Sequence, residues 1–409
     1  MQAASVPLPL SAAPARDIRH YMRAGLLQLR SLPPLSLYIH LPWCLRKCPY
    51  CDFNSHARTG SVPEERYVDA LIADLESALP LIWGRSVCSV FIGGGTPSLF
   101  APEAIERLLS AVRARLRLAA SCEITLEANP GTFEAERFRA FAAAGVTRLS
   151  LGVQSFDDRF LQALGRVHSG AQARAALREA AQCFARFNID LMYALPGQSL
   201  ADLARDVDAA LSFAPPHLSI YHLTIEPNTW FAKHPPAHLP GDDDACAMLD
   251  FISARTAQAG MQRYEVSAYA LPGAHCTHNR NYWQFGDYLG IGAGAHSKIS
   301  FAPRIVRQIR LREPVRYMHA ALAGNALARE SDVKRADLAF EFMLCALRLR
   351  AGFAAQDFVE RTGLPLSHIE APLQTARQQG LLHCANGWIT PTTRGFDFLS
   401  DLQALFLPP

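Results

Sequence analysis

From residue 36 to about 225, short apolar runs alternate with longer stretches whose apolar positions recur at helical spacing, a pattern that predicts repeated βα units and a parallel sheet. The runs Ser36–Leu41, Cys88–Ile92, Glu123–Glu127, Arg148–Val153, Asn188–Met192 and His217–Leu223 are expected to be strands, each apolar enough for burial on both faces. Between them Glu64–Leu79, Pro102–Leu116, Glu134–Ala144, Ala171–Phe187 and Ala201–Phe213 are expected to be helices, most with an acidic residue in the first turn, where it complements the helix macrodipole. Six such units make an α/β fold of the partial (β/α)6 TIM-like barrel type, open on one side, and chemistry in such barrels gathers where the strands end. Those positions hold Cys44 after the first strand, Gly93-Gly94-Gly95-Thr96 after the second, Glu127 on the third and Gln154 on the fourth, with Asp190 inside the fifth. Glycine and ionisable groups repeated along one rim imply a ligand that all the strands share.

The units fall into four segments: an extension over 1–35, the barrel over 36–225, a capping segment over 226–329 and a C-terminal module over 330–409. The extension is rich in Ala, Pro and Leu. Its stretch Arg16–Arg30 has the spacing of an amphipathic helix, either in a loosely packed leader or in an organellar transit peptide, against which Asp17 and the Pro-rich ending count. The capping segment opens with prolines and a helix from about Asp242 to Gly260, after which residues 261–300 are expected to form strands and loops against the open side of the barrel. The last segment reads as helices Ala336–Leu349, Ala355–Thr362 and Leu366–Gln379, two short strands around Gly387, and a final helix: a winged-helix-like α+β module. Its third helix carries Arg377 as its one formal cation, too little to neutralise a row of phosphates, so a packing role is expected and a nucleic-acid partner is not.

Composition narrows this further. A net charge of +3 on 409 residues gives no basic footprint, and no apolar run reaches the length of a membrane span. Ten cysteines, three of them within one short stretch, fit a reducing compartment and a metal site, so a cytoplasmic location is expected.

That stretch is Cys44-Leu45-Arg46-Lys47-Cys48-Pro49-Tyr50-Cys51, a C-x3-C-x2-C pattern. Helical spacing would put the thiols on one buried face, but Pro42 and Pro49 oppose a helix and favour a loop wrapped around something. Three thiolates with His40 or His56 as a fourth ligand could close a zinc site. Three thiolates without a fourth cysteine suit an iron–sulfur cubane with one open iron, and Arg46 and Lys47 can offset its negative charge.

The loop resembles that of the radical S-adenosylmethionine (SAM) superfamily. This implies a 4Fe–4S cluster on Cys44, Cys48 and Cys51, with the open iron chelated by the amino and carboxylate groups of SAM. Val90 through Ser98, which matches neither a dinucleotide fingerprint nor a P-loop, corresponds to the stretch that receives the methionine moiety. From Leu37 through Gly395 the chain is similar to the oxygen-independent coproporphyrinogen III oxidase-like family. That resemblance assigns SAM contacts to Tyr38, Gly94, Gly95, Thr96, Glu127, Gln154, Arg166 and Asp190, with Tyr50 beside the adenine. Glu127 and Asp190 can accept hydrogen bonds from an amine or ribose hydroxyls, and Arg166 can pair with a carboxylate; taken singly, Glu127 could also begin a turn and Arg166 could be a solvated charge.

Two stretches divide that family. The oxidase has a further cysteine two positions after the third ligand, where this chain has Phe53, which argues against decarboxylation of porphyrinogen propionates and leaves catalytic residues unassigned. His278-Asn279-Arg280-Asn281-Tyr282-Trp283 resembles the H-N-x-x-Y-W motif of the HemW-type heme chaperones. It implies heme as a third cofactor with His278 as axial ligand, Cys276 and His296 being alternatives, and also heme-accepting hemoproteins and a reductant for the cluster as partners. Tyr288 through Ser297 resembles another signature of these proteins, with Ala293 where relatives often have Pro and Ser297 where they often have Gly.

Overall fold

Alternation within the six expected strands decides how they pack. The computed structural model describes residues 18–23, 25, 27–131 and 134–408. It places β1 at Leu35–Leu41, β2 at Val87–Gly94, β3 at Leu118–Ala128, β4 at Arg148–Gln154, β5 at Phe187–Tyr193 and β6 at His217–His222, all parallel and in that spatial order. Leu37, Ile39, Val90, Ile92, Leu126, Leu149, Leu151, Ile189, Leu191 and Leu218 form one apolar row and pack against the helices. Successive side chains face opposite ways, so the intervening residues line the inside, and most of these are polar: Ser36, Ser89, Thr125, Arg148, Ser150, Asn188 and Ser219 are all buried. The strands are therefore buried on both faces, as expected, but the inner face is held by hydrogen bonds and not by apolar contact.

The helical layer comprises α1 Glu64–Ile82, α2 Pro102–Arg115, α3 Glu134–Ala143, α4 Gly170–Cys183 and α5 Leu200–Leu211. Capping boxes start two of them, Ser169 with Gln172 on α4 and Ser199 with Asp202 on α5. α4 ends four residues before the expected Phe187. Phe184 is already extended, and Phe187 is needed in β5, where it pairs with Leu149 of β4.

Residues 261–300 do not lie over the open side as separate pieces; they hydrogen-bond to both free edges of the six strands. After α6, Asp242–Gln258, come β7 (Gln262–Arg263) and β8 (Ala268–Ala270), of which β8 pairs antiparallel with β6. The short helix α7, Thr277–Trp283, follows. β9, Asp287–Ile291, then adds in parallel beside β1, and β10 (His296–Phe301), β11 (Arg304–Arg310) and β12 (Leu327–Asp332) continue antiparallel to make a twelve-stranded sheet. β12 runs across the expected boundary at 329/330.

Beyond it, helices Leu338–Ala346, Ala355–Thr362 and Glu370–Gln378 and the hairpin of Leu382–Ala385 with Trp388–Pro391 enclose a second apolar cluster around Phe342, Phe358, Leu364, Ile389 and Leu402. The third helix starts later than expected because Leu366–His368 is a 3-10 turn after Pro365. The expected helix over Arg16–Arg30 is a single turn, Ile18–Tyr21; Arg16 and Asp17 lie outside the described residues. Leu27 and Leu29 are extended instead, donating their N–H groups to Pro303 and Ala302 carbonyls and burying their side chains in the second cluster, so this part is anchored. Among the described residues, no helix is long and apolar enough to cross a membrane.

The turn after β9 rests on a buried ion pair. Arg310 Nε donates to Asp74 Oδ1 at 3.0 Å, and the same carboxylate accepts from the Tyr317 hydroxyl at 2.9 Å and from Gly292 N–H at 3.3 Å. Asp74→Ala strands a buried guanidinium and is expected to destabilise the protein by about 3–5 kcal/mol in denaturant unfolding. Asp69→Ala, which breaks the half-exposed pair with Arg107, should cost less than about 1 kcal/mol. Equal losses would mean that the buried pair does not hold this turn.

Candidate cluster and cofactor site

The cysteine loop is a closed ring. It leaves β1 at Pro42 and returns at His56, whose N–H donates to Pro42 O at 2.7 Å, while Arg58 N–H donates to Cys44 O at 2.9 Å. Asn54 pins the ring to the turn after β9, its amide donating to Ala293 O at 2.8 Å and to Arg312 O at 2.9 Å. Both ring nitrogens of His40 are engaged: Nδ1 lies 2.9 Å from the Tyr38 hydroxyl and Nε2 2.9 Å from Asn54 O, and burial lowers its pKa to about 4. His56 Nε2 faces Asn54 Oδ1 at 3.3 Å. With both of its ring nitrogens taken, His40 is no fourth donor for the zinc alternative.

Cys44, Cys48 and Cys51 border one cavity of about 470 Å³, together with Tyr50, Gly94, Gly95, Thr96, Glu127, Gln154, Arg166 and Asp190. Every residue assigned to SAM except Tyr38 is on that wall. Tyr38 stands behind it, stacked on Phe91 with ring centroids 6.3 Å apart. Burial pushes the Cys44 thiol up to about 11, and the neighbouring Cys51 and Cys48 add to the shift. Such crowding of thiols is relieved by a bound cationic centre, which is the chemistry of an iron–sulfur donor set. Among the described residues, no three His, Cys, Asp or Glu side chains converge as a single bound ion would require.

The glycine edge is needed first by the protein itself. A Cβ at Gly95 would come within 2.4 Å of Trp43 O, and Gly94 has φ +124°. Gly94 N–H donates to Glu127 Oε2 at 3.1 Å, so Glu127 is turned into the cavity and does not begin a turn. Arg166 is no solvated charge: its Nη2 donates to Asn129 Oδ1 at 2.5 Å and Gly152 O at 2.7 Å, and its Nη1 approaches Cys48 Sγ at 3.6 Å. Its Nε is buried with no hydrogen-bond partner, a spare donor beside the thiols. Gln154 sits at φ +68° where the β4–β5 register shifts, a left-handed conformation unusual for a residue with a side chain.

Sequence reasoning missed the residues that brace these. Asn129 donates to Thr96 Oγ1 at 2.8 Å. Asn188 donates to Asp190 Oδ1 at 2.7 Å and to Ser150 Oγ at 2.8 Å, and its carbonyl lies 2.6 Å from His217 Nδ1; His217 Nε2 is 2.9 Å from the Tyr264 hydroxyl. Arg148 is buried among them. The signal was available in the polar residues at every second position of β4, β5 and β6.

α7, with the H-N-x-x-Y-W motif, closes the opposite end of the barrel. Glu123 Oε1 accepts from Thr277 N–H at 2.8 Å, the Tyr264 hydroxyl accepts from Cys276 N–H at 3.3 Å, and Asn281 donates to Ser36 Oγ at 2.9 Å. His278 points inward, Nδ1 3.2 Å from Ser89 Oγ and its ring 5.0 Å from Phe91, and burial lowers its pKa to about 4. Asn279 reaches the cavity wall and His278 does not. Cys276 is wholly buried, whereas His296 is exposed. The structure does not bring the three candidate heme ligands together.

Residues 38–210 match the radical SAM superfamily and residues 333–398 the HemN C-terminal domain. The chain is 48% identical over 379 residues to the heme chaperone HemW of Escherichia coli (strain K12), covering 92% of this chain and 99% of that one. It is 45% identical over 383 residues to the heme chaperone HemW of Haemophilus influenzae, covering 92% and 98%. It is 39% identical over 332 residues to the mitochondrial radical S-adenosyl methionine domain-containing protein 1 of Bos taurus, covering 78% and 74%. Among solved structures, coproporphyrinogen III oxidase (HemN) from Escherichia coli, a radical SAM enzyme, superposes with a TM-score of 0.78 at 24% identity, covering 92% of this chain and 90% of that one, which establishes the shared fold.

Burial, and then the nearby Asp190 carboxyl, raise the pKa of Glu127 from 4.5 to about 7. The folded protein therefore keeps a proton that the unfolded chain has lost, and stability falls as pH rises from about 4.5 through about 7. Glu127→Gln removes this ionisation. Unfolding in denaturant should find the variant more stable than wild type at pH 8, by on the order of 1–3 kcal/mol, and little different at pH 5. A variant with the same deficit at both pH values would rule the shift out.

Proposed function

The chain belongs to the heme chaperone HemW family of the radical SAM superfamily, and from that membership we propose that it binds heme and passes it to acceptor hemoproteins while holding a 4Fe–4S cluster and SAM. The observation that carries the cofactor half is the cavity bordered at once by three thiols, an arginine with a spare donor and the carboxyl groups of Glu127 and Asp190. Cys44, Cys48 and Cys51 are the cluster ligands. When bound, the cluster supplies an open iron for the amino and carboxylate groups of SAM and takes up one electron from a reductant. Arg166 is placed to pair with the carboxylate of SAM. Gly94, Gly95 and Thr96 present backbone to its methionine end, and Glu127, Gln154 and Asp190 accept from its amine or ribose hydroxyls. Tyr50, on the cavity wall, would border the adenine, and Tyr38 would support that wall from behind through Phe91.

The heme half rests on kinship with the chaperones and on Phe53. This residue is 64% exposed on the cavity rim, at the position where the oxidase has its further cysteine, which disfavours porphyrinogen decarboxylation. His278 is half-buried, its Nδ1 3.2 Å from Ser89 Oγ and its ring beside Tyr38 and Phe91, which leaves Nε2 as the nitrogen for heme iron. Ten free thiols fit a reducing cytoplasm, and the same reading keeps the barrel at 36–225 and moves the start of the last segment beyond β12, to Val333.

Anaerobic reconstitution should load about four iron and four sulfide per chain, all lost in the Cys44→Ala/Cys48→Ala/Cys51→Ala variant, with a change in the reduced cluster's spectrum on adding SAM. Wild type should titrate with hemin and form no protoporphyrinogen from coproporphyrinogen III. Stoichiometric zinc in the anaerobic protein would defeat the cluster assignment, and protoporphyrinogen formation would favour the oxidase. His278→Ala, Cys276→Ala and His296→Ala, compared by their heme spectra, identify the axial ligand; unchanged spectra in all three would remove this motif from heme binding.

A further inference from the structure

Arg148 opens β4 at the opposite end of that strand from Gln154, about 20 Å away along an extended backbone and far from the thiols. It is 3% exposed, and it borders the cofactor cavity from within the barrel. Among the described residues its guanidinium makes no hydrogen bond and no ion pair. The acids around it are already committed. Asp190 accepts from Asn188 at 2.7 Å and from Ser150 at 3.3 Å, Glu123 accepts from Thr277 N–H at 2.8 Å and lies 3.0 Å from Arg186, and Glu127 accepts from Gly94 N–H at 3.1 Å. The Asn188 carbonyl is taken as well, by Ser219 and His217. Thr125, in register with Arg148 on the neighbouring strand, has a buried hydroxyl with no partner.

Five N–H donors and a full charge held out of bulk water call for an acceptor, and in a polar row that is otherwise matched the exception marks a place kept for a ligand. The planar fork of a guanidinium fits a carboxylate through two parallel hydrogen bonds. The carboxylate of SAM has Arg166, beside Cys48 at the mouth of the barrel, and does not need Arg148. We infer that Arg148 anchors the carboxylate of a second ligand, a small carboxylic acid held in the barrel beneath SAM. Ser150 and Ser219 from the strands and Asn279 from α7 border the same cavity and give the acid polar walls. The whole cavity is about 470 Å³, near the lower end of the range for one cofactor-sized ligand, so with SAM at the mouth only a small acid fits below it. The inference rests on the reading of the mouth as the SAM site.

The test uses full-length, cluster-reconstituted protein with propionate as the probe, and propionamide and chloride at equal ionic strength as controls. The acid is added before SAM, because α7 closes the far end of the barrel. The unfolding temperature of wild type should rise with propionate, half-saturating on the order of 1–10 mM, and should not respond to either control. Arg148→Gln should need at least about tenfold more propionate for the same rise, and Arg148→Lys, which keeps the charge without the fork, should fall between them. If wild type responds alike to propionate and chloride, or Arg148→Gln responds as wild type does, the inference falls; the wild-type comparison decides even where a variant fails to fold. SAM affinity, read from the spectrum of the reduced cluster, separates the two carboxylates: a variant that loses SAM as much as propionate would give Arg148 to the carboxylate of SAM itself and overturn the second ligand. No response to SAM in wild type would instead defeat the cofactor reading, and propionate against chloride would still report on Arg148.

Discussion

A polar residue sealed inside a barrel must find a partner without water, and that constraint orders the whole molecule. Leaving a buried donor or acceptor unmatched costs about 1–3 kcal/mol, and the inner faces of β1 through β6 carry many such groups. They match one another across strands: Ser36 with Ser89 at 2.8 Å, Ser219 with Asn188 at 3.0 Å, and Asn188 with Ser150, Asp190 and His217. The outer faces carry the apolar row that binds the helices, so the two requirements are met by alternate residues of one strand. Where the strands end, the partners come from one side only. Glu127, Asp190 and Arg166 are left facing a cavity, which is how a stability rule generates a binding site.

The other end of the barrel meets the same constraint with α7. Its first N–H groups are taken by Glu123 and Tyr264, and Asn281 and His278 complete Ser36 and Ser89. Hydrogen bonds run without a break from Asp190 through Asn188, His217 and Tyr264 to the start of that helix. The H-N-x-x-Y-W motif thus completes the inner hydrogen bonds at this end of the barrel.

Much of this was legible in the sequence. All six strands sit within a few residues of their expected positions, because runs bounded by turn residues and separated by helical spacing have few other solutions. The cysteine loop was legible because Pro42 and Pro49 exclude a helix. What was not legible depends on contacts distant in sequence. The pairing of β9 with β1 joins residues about 250 apart, and Leu27 and Leu29 look like leader residues until the second cluster buries them. The inner polar row was present as Arg148, Ser150, Asn188 and Ser219, but a strand expected to be apolar on both faces hides its own alternation. His278 was assigned by motif, and only the fold shows that its Nδ1 is turned to Ser89.

Charge placement separates the cluster loop from the rest of the protein. The chain has 40 Lys and Arg against 37 Asp and Glu, nearly balanced; of its buried cations Arg310 pairs with Asp74 and Lys298 with Asp287 at 3.0 Å, whereas Arg148 lies in the inner polar row without an ion pair. Around the loop, too, ion pairs are missing among the described residues. Arg46, Lys47 and Lys233 have no carboxylate partner among the described residues, and Arg166 faces a thiol and not an acid. Of these, Arg46 and Arg166 border the same cavity as the three thiols. Thiolates carry the opposite charge, so cations and cysteines on one wall offset each other.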